Sequence, residues 1–433
     1  MSNTSEEADV ERYRQVATIL HDVAKPMRVL SALAWPAETR ERFLASGGRT
    51  MPDEPEYPRV DPTDVLDGVA AARRLIDPGA VVDDWLENTA DAIESTALML
   101  ASMGTNAFHS YSRRLYGVPT QPLRFDSTTP LELAEKVNGA LEELTDIHLI
   151  GPPVRDRTGQ EVADELAPAV ESHFGADAPE ILVVEELSAN ALATATKIKV
   201  RRDARFTHRD ASQLLNHEAY IHVGTALNGR AQEDLPILAV GHPGTTRTQE
   251  GLAVFSEFVS GTLELDRLRR LADRSLAVQM VIDGADFIEL FRWFEERSPS
   301  AEQAFESTRR IFRGSPLGGG APFTKDCVYL SGLLGVLTFV RAAFAADRAD
   351  ALALLFAGKL DLSAVPALAE LRSLGLLRPS RFLPPWATDP GWVLTWLTLS
   401  TFMAQIDLDA VSHSVGRLLE RSARPEIRPP VDR

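Results

Sequence analysis

The chain has 433 residues, enough for a substantial core and for two or three packed subdomains. Apolar residues make up 44% and charged residues 25%, the composition of an ordinary globular protein, and a formal charge of −17 argues against nucleic acid as the main partner. The single cysteine, Cys327, excludes an intramolecular disulfide and fits a reducing, cytoplasmic setting.

The polar, acidic start carries no apolar signal core, and residues 1–8 read as a disordered tail. Apolar spacing at Val16, Ile19, Leu20 and Val23 predicts one or two helices over 9–48. Four prolines between Met51 and Pro62 mark a loop. Helices return over 63–77 and 80–105, and an aromatic cluster ends in Tyr116-Gly117-Val118-Pro119. Thr129 caps a helix over 130–145, and another covers 158–174. Residues 9–120 are assigned to an N-terminal helical region, 121–425 to one catalytic domain with C-terminal helices, and 426–433 to a mobile tail.

The pattern then changes. Glu180–Val184 is a β-branched run and Ala191–Val200 alternates loosely, which predicts paired strands. A helix over about 209–227 follows, with Asn228-Gly229 as its stop. After a loop over 234–244, a second helix starts at a cap on Thr246 or Thr248 and runs to about Ser260. The rest is nearly all helical, broken at 314–322 and 376–390. Val328–Ala345 is the most membrane-like stretch, but Arg341 interrupts it and a buried helix is the better reading, with no membrane partner expected. The fold class is α+β, mainly helical, with a small sheet just before a metal-binding helix.

That helix carries His217-Glu218-Ala219-Tyr220-Ile221-His222, and Gln249-Glu250-Gly251 lies downstream. Two imidazoles with a carboxylate beside the first is the layout of a zinc hydrolase. The usual spacing is four residues, and here it is five, which sets the two rings about 140° apart on an ideal α-helix. A π-type distortion realigns them; without it the two are unrelated helix histidines. Glu250 supplies a third ligand from the next helix, or is a glutamate placed at a helix N-terminus. Gly251 costs about 1 kcal/mol inside a helix and implies close backbone packing. Glu218, next to a ligand, takes the role of general base.

His217-Glu218-x-x-x-His222 with Gln249-Glu250-Gly251-Leu252-Ala253 resembles the bacterial QEGLA-motif proteins and, with them, the animal microtubule-associated tyrosine carboxypeptidases. Phe108 through Tyr116-Gly117, Arg205-Phe206, Asn228-Gly229, Phe323-Thr324-Lys325-Asp326 and Tyr329-Leu330 add to the resemblance, which spans roughly residues 100–410. It implies a zincin-like metallopeptidase core in which His217, His222 and Glu250 bind Zn2+ and Glu218 is catalytic. The substrate it implies is a peptide or protein C-terminus. The tubulin substrate does not carry over, because the sequence shows no basic or disordered extension of the microtubule-binding kind and its composition looks bacterial.

A carboxypeptidase clamps a terminal carboxylate, and Arg247, Lys325 and Tyr329 are the candidates. Arg247 lies three residues before Glu250; Lys325 and Tyr329 are four apart, on one helix face. Salt bridging and core packing are their bland alternatives. Glu257, seven residues after Glu250, is either a solvated or salt-bridged glutamate or the group that orients a ligand histidine. His208 and His242 read as loop or surface histidines, and Cys327 as a buried thiol. Competing functions are an endo- or aminopeptidase, an amidohydrolase, and a non-catalytic regulatory protein with a structural metal. The last gives no role to Glu218.

Overall fold

The structure, a computed structural model, describes residues 2–123, 127–145, 154–185, 187 and 189–403. Helix α1 (Ser2–Ala24) begins where a disordered tail was expected. Its face of Tyr13, Val16, Ala17, Leu20 and Ala24 is buried, and extending an existing helix backward over polar residues is far cheaper than nucleating one. Two short helices, α2 (Val29–Ala32) and α3 (Ala37–Ala45), lead to the proline-rich loop, and α4 (Thr63–Arg73) and α5 (Val81–Ala101) pack with α1. The aromatic cluster before Gly117 is helix α6 (Asn106–Tyr116), closed by Gly117 at φ 79°. Helices α7 (Pro130–Thr145) and α8 (Gly159–Phe174) match their predicted spans closely, and Thr158 and Glu161 form a capping box at the start of α8.

Strands β1 (Arg157–Thr158) and β5 (Arg205–Phe206) form a two-residue antiparallel pair. The main sheet has the order β2-β4-β3, from β2 (Glu180–Val184), β3 (Ala191–Ala193) and β4 (Lys197–Arg201). β2 runs parallel to β4 and β3 antiparallel to it, so β3 is an edge. The alternating run over 191–200 is therefore a hairpin, broken where Thr194 N donates to Lys197 O at 2.7 Å.

The next helical segment is α9 (Asp210–Leu214), a π-helical stretch Leu215–Val223, and α10 (Gly224–Arg230). Asn228-Gly229 does not stop it. Asn228 is buried, donating to Phe356 O and Phe382 O, both at 2.8 Å, while its Oδ1 accepts from the Arg381 and Phe382 amides. A Cβ on Gly229 would lie 2.2 Å from Leu238 O, so this glycine permits a close approach and is not a terminator. Helix α11 (Pro243–Val259) starts three residues before its predicted cap, because Pro243 at its first position is pre-set for helix; Thr248 instead bonds Asp361 and the Leu362 amide.

Helices α12 (Leu265–Ile282), α13 (Phe287–Glu295) and α14 (Ala301–Phe312) enclose an aromatic core of Phe43, Phe287, Phe291, Phe305 and Phe312. Helix α15 (Val328–Ala345) is long and apolar enough to cross a membrane by length and composition, yet it lies along α11 with Val328, Leu330, Val336 and Val340 buried. Helices α16 (Val365–Ser373) and α17 (Pro385–Thr388) follow. Up to residue 388 the described residues form one compact unit, in which α5 and α6 pack on α11. A second unit starts at Asp389 and, among the described residues, contains α18 (Pro390–Met403). The expected tail over 426–433 lies outside the described residues.

The crossing of α11 and α15 is backbone on backbone. A Cβ on Gly251 would sit 2.4 Å from the Gly332 carbonyl carbon and oxygen, and one on Gly332 would sit 2.2 Å from Arg247 O. Gly251→Ala should therefore push the two helices apart and destabilise the protein by about 3 kcal/mol, the upper range for overpacking. A melting curve measures it. An unchanged melting temperature would mean the crossing is looser than the structure shows.

Candidate metal centre

The π-helical stretch has a local cause. Ala219, Ile221 and Val223 are all buried, as are Leu214 before them and Ala226 and Asn228 after them, so core contacts hold the segment at both ends. Hydrogen bonding to the fifth residue then brings positions five apart onto one face. His217 and His222 face each other accordingly, with ring centroids 4.9 Å apart and planes at 83°.

Glu250 joins them from the second turn of α11 and not from a helix N-terminus. Its Oε2 lies 3.6 Å from His217 Nε2 and 3.8 Å from His222 Nε2. These separations are too long for hydrogen bonds. They are close to the roughly 3.4 Å between two donors that each sit about 2.1 Å from a tetrahedral zinc. All three ligand atoms fall within 4.8 Å of one another. The residues present thus fit a metal ion by donor type and by spacing.

A further layer fixes the first histidine. His217 Nδ1 is 2.6 Å from Glu257 Oε1, and Arg267 reaches the same carboxylate with Nη2 at 3.2 Å and Nε at 3.3 Å. In the neutral ring that a metal requires, Nδ1–H donates to Glu257 and Nε2 is the lone-pair nitrogen facing Glu250. Glu257 is therefore not solvated: it is salt-bridged to Arg267 and at the same time placed to orient His217. Burial would raise the Glu257 carboxyl, but Arg267 and His217 hold it down at about 2. Burial would likewise raise Glu250, and Lys325 with the two imidazoles holds it well below the usual carboxylate range. Burial alone would depress His217, yet Glu250 and Glu257 lift it to about 10, whereas burial pushes His222 down to about 3.

Glu218 points another way. Burial and nearby Glu250 raise its carboxyl, opposed by His217 and by a hydrogen bond from the Ala193 backbone. Ala193 belongs to the edge strand β3. The bonded pairs Asn190–Arg201 and Thr194–Lys197 put Leu192 in the next bonded pair, so the amide and carbonyl of Ala191 and Ala193 face away from β4. Among the described residues no strand pairs with that edge, which adjoins Glu218 through the Ala193 amide.

Lys359 was not visible in the sequence pattern. It donates to His222 O at 3.0 Å, Thr225 Oγ1 at 2.9 Å and Gln249 Oε1 at 2.8 Å. Burial lowers its ammonium to about 8 against the pull of Glu250 and Glu218. The glutamine before Glu250 is thereby tied to the helix that carries the histidines.

The three substrate candidates separate. Lys325 Nζ lies 3.7 Å from Glu250 Oε1 and 5.4 Å from the Tyr329 ring centre, so it pairs with a proposed ligand. Tyr329 is buried, with Arg274 stacked over its ring at 4.8 Å; burial would raise its phenol, but Lys325, Arg310 and Arg274 bring it below its ordinary value. The Arg247 guanidinium lies beside Gly117 and Gln121: its Nη2 is 2.9 Å from where a Gly117 Cβ would be, and its Nε has no hydrogen-bond partner. His208 is exposed as expected, but His242 is buried at the N-cap of α11 and is not a surface residue. Cys327 is buried, and burial raises its thiol.

A family model described as microtubule-associated tyrosine carboxypeptidase matches residues 41–405, and the chain belongs to that family. No curated protein matches the sequence.

Proposed function

We propose that this family member is a zinc-dependent carboxypeptidase that releases the C-terminal residue of a peptide or protein. Family membership supports a carboxypeptidase-like function in general. The finer reading rests on one observation: two histidines and a glutamate converge in a partly buried cluster with a raised carboxyl, Glu218, adjoining it. His217, His222 and Glu250 would hold the ion in a zincin-like arrangement. When bound, zinc supplies a Lewis acid that polarises the scissile carbonyl and makes water more acidic.

The remaining work falls to the chain. Glu218 accepts a proton from the attacking water and passes it to the leaving amine. Glu257, itself held by Arg267, keeps His217 in the right tautomer. The amide and carbonyl of Ala191 and the carbonyl of Ala193 can pair with an extended substrate backbone next to Glu218.

Mass spectrometry of a peptide incubated with the purified protein tests the reading. Stepwise loss from the C-terminus, stopped by a chelator and restored by zinc, is the expected result. Internal fragments or loss from the N-terminus would point to the other peptidase types, and no product with zinc bound would point to a structural metal.

A further inference from the structure

Four cations surround the far side of the cluster, and three are already matched. Arg267 holds Glu257, with Nη2 3.2 Å from Oε1. Lys325 sits 3.7 Å from Glu250. Arg310 clasps Asp326 with two bonds, Nε to Oδ2 at 2.9 Å and Nη2 to Oδ1 at 2.7 Å. The fourth, Arg274, has only a long approach of 3.9 Å to Asp326, whose single charge Arg310 has taken. Its side chain keeps 20% of its exposure, so it is not sealed from solvent as Asp326 is. A largely buried guanidinium without its own anion is costly, and the planar fork suits a carboxylate held by two parallel bonds.

Its position is equally specific. Arg267 and Arg274 are seven residues apart on α12, hence on one face of the helix. Arg267 reaches the Glu257–His217 pair, so this face is turned to the centre. The Arg274 guanidinium carbon lies over the Tyr329 ring, 4.8 Å from its centre, so the ring supports the cation. Tyr329 in turn neighbours Lys325, the partner of Glu250.

We propose that Arg274, supported by the Tyr329 ring, binds the α-carboxylate of the substrate's terminal residue. This rests on the carboxypeptidase reading above. It reassigns the clamp from Arg247, which lies by Gly117, and from Lys325, which is taken by Glu250.

The test is equilibrium binding to the zinc-loaded, full-length Glu218→Gln protein, read by fluorescence anisotropy without turnover. The probe is a fluorescein-labelled peptide ending in tyrosine, prepared as the free acid and as the C-terminal amide. The free acid should bind about 10- to 100-fold more tightly than the amide, the usual worth of a charged donor–carboxylate contact. Arg274→Gln in the same background should erase that difference by weakening the free acid alone, and Arg274→Lys should recover part of it. Zinc content and melting temperature are measured on each variant; if Arg274→Gln does not fold, Arg274→Lys carries the comparison, and full affinity there overturns the need for the fork. An unchanged acid-to-amide ratio in zinc-loaded Arg274→Gln overturns the role of Arg274 and leaves the carboxypeptidase reading standing. Equal binding of acid and amide by the Glu218→Gln parent overturns both.

Discussion

Glu218→Gln is expected to keep one zinc per chain and to lose turnover by about 10²- to 10⁴-fold, the usual contribution of a positioned general base. The substitution preserves size and the hydrogen bond that the Ala193 backbone gives the side chain. It removes only the ability to accept a proton. Because Glu218 is not one of the three clustered donors, metal content should not change. Metal analysis beside a peptide-cleavage assay measures both halves. Wild-type rates from a zinc-loaded Glu218→Gln protein would contradict the mechanism.

The second expected result is graded metal loss. His217→Ala, His222→Ala and Glu250→Ala should each leave the purified protein essentially without zinc, since each removes one of three protein donors. Glu257→Gln should keep the site but weaken it about 10- to 100-fold, because His217 loses its anionic acceptor at 2.6 Å while Nε2 still faces Glu250. A chelator competition resolves the two classes. Full occupancy in all three alanine variants would sink the metal assignment. Glu257→Gln as severe as His217→Ala would mean that Glu257 acts as more than an orienting group.

The clustered residues were legible in the sequence because such side chains are few and close together: His217 and His222 share one segment with Glu218, and Glu250 lies on the next helix. Even the distortion was readable, since five-residue spacing can serve one ion only through a π-type turn, and Leu215–Val223 is π-helical. What was illegible came from distance along the chain. Lys359 lies 110 residues beyond Gln249, and nothing in its own neighbourhood marks it as a partner of that side chain. Arg274 looks like any arginine on an amphipathic helix until Arg310 is seen to occupy Asp326. Asn228-Gly229 misled for a related reason. The pair reads locally as a helix stop, but the demand for glycine is set by Leu238 O and the demand for asparagine by loop carbonyls far downstream. The hairpin of β3 and β4 was read as one alternating run because Thr194 and Thr196 fit a strand as well as a turn.

The π-helical stretch amounts to one surplus residue threaded into an ordinary helix. Deleting one residue from 219–221 would give the histidines the common four-residue interval, and the ion could still be gripped by a regular turn. Because the wider turns absorb that residue, α10 after the cut would keep its register. Thr225 would stay on Gln249 and Lys359, and Asn228 on the Phe356 and Phe382 backbone. The far end of the irregular turn is thus held by polar anchors, one of which, Lys359, also reaches the His222 carbonyl. A metal-free protein should therefore retain the wide turn, since these anchors and the buried side chains on either side hold it without the ion.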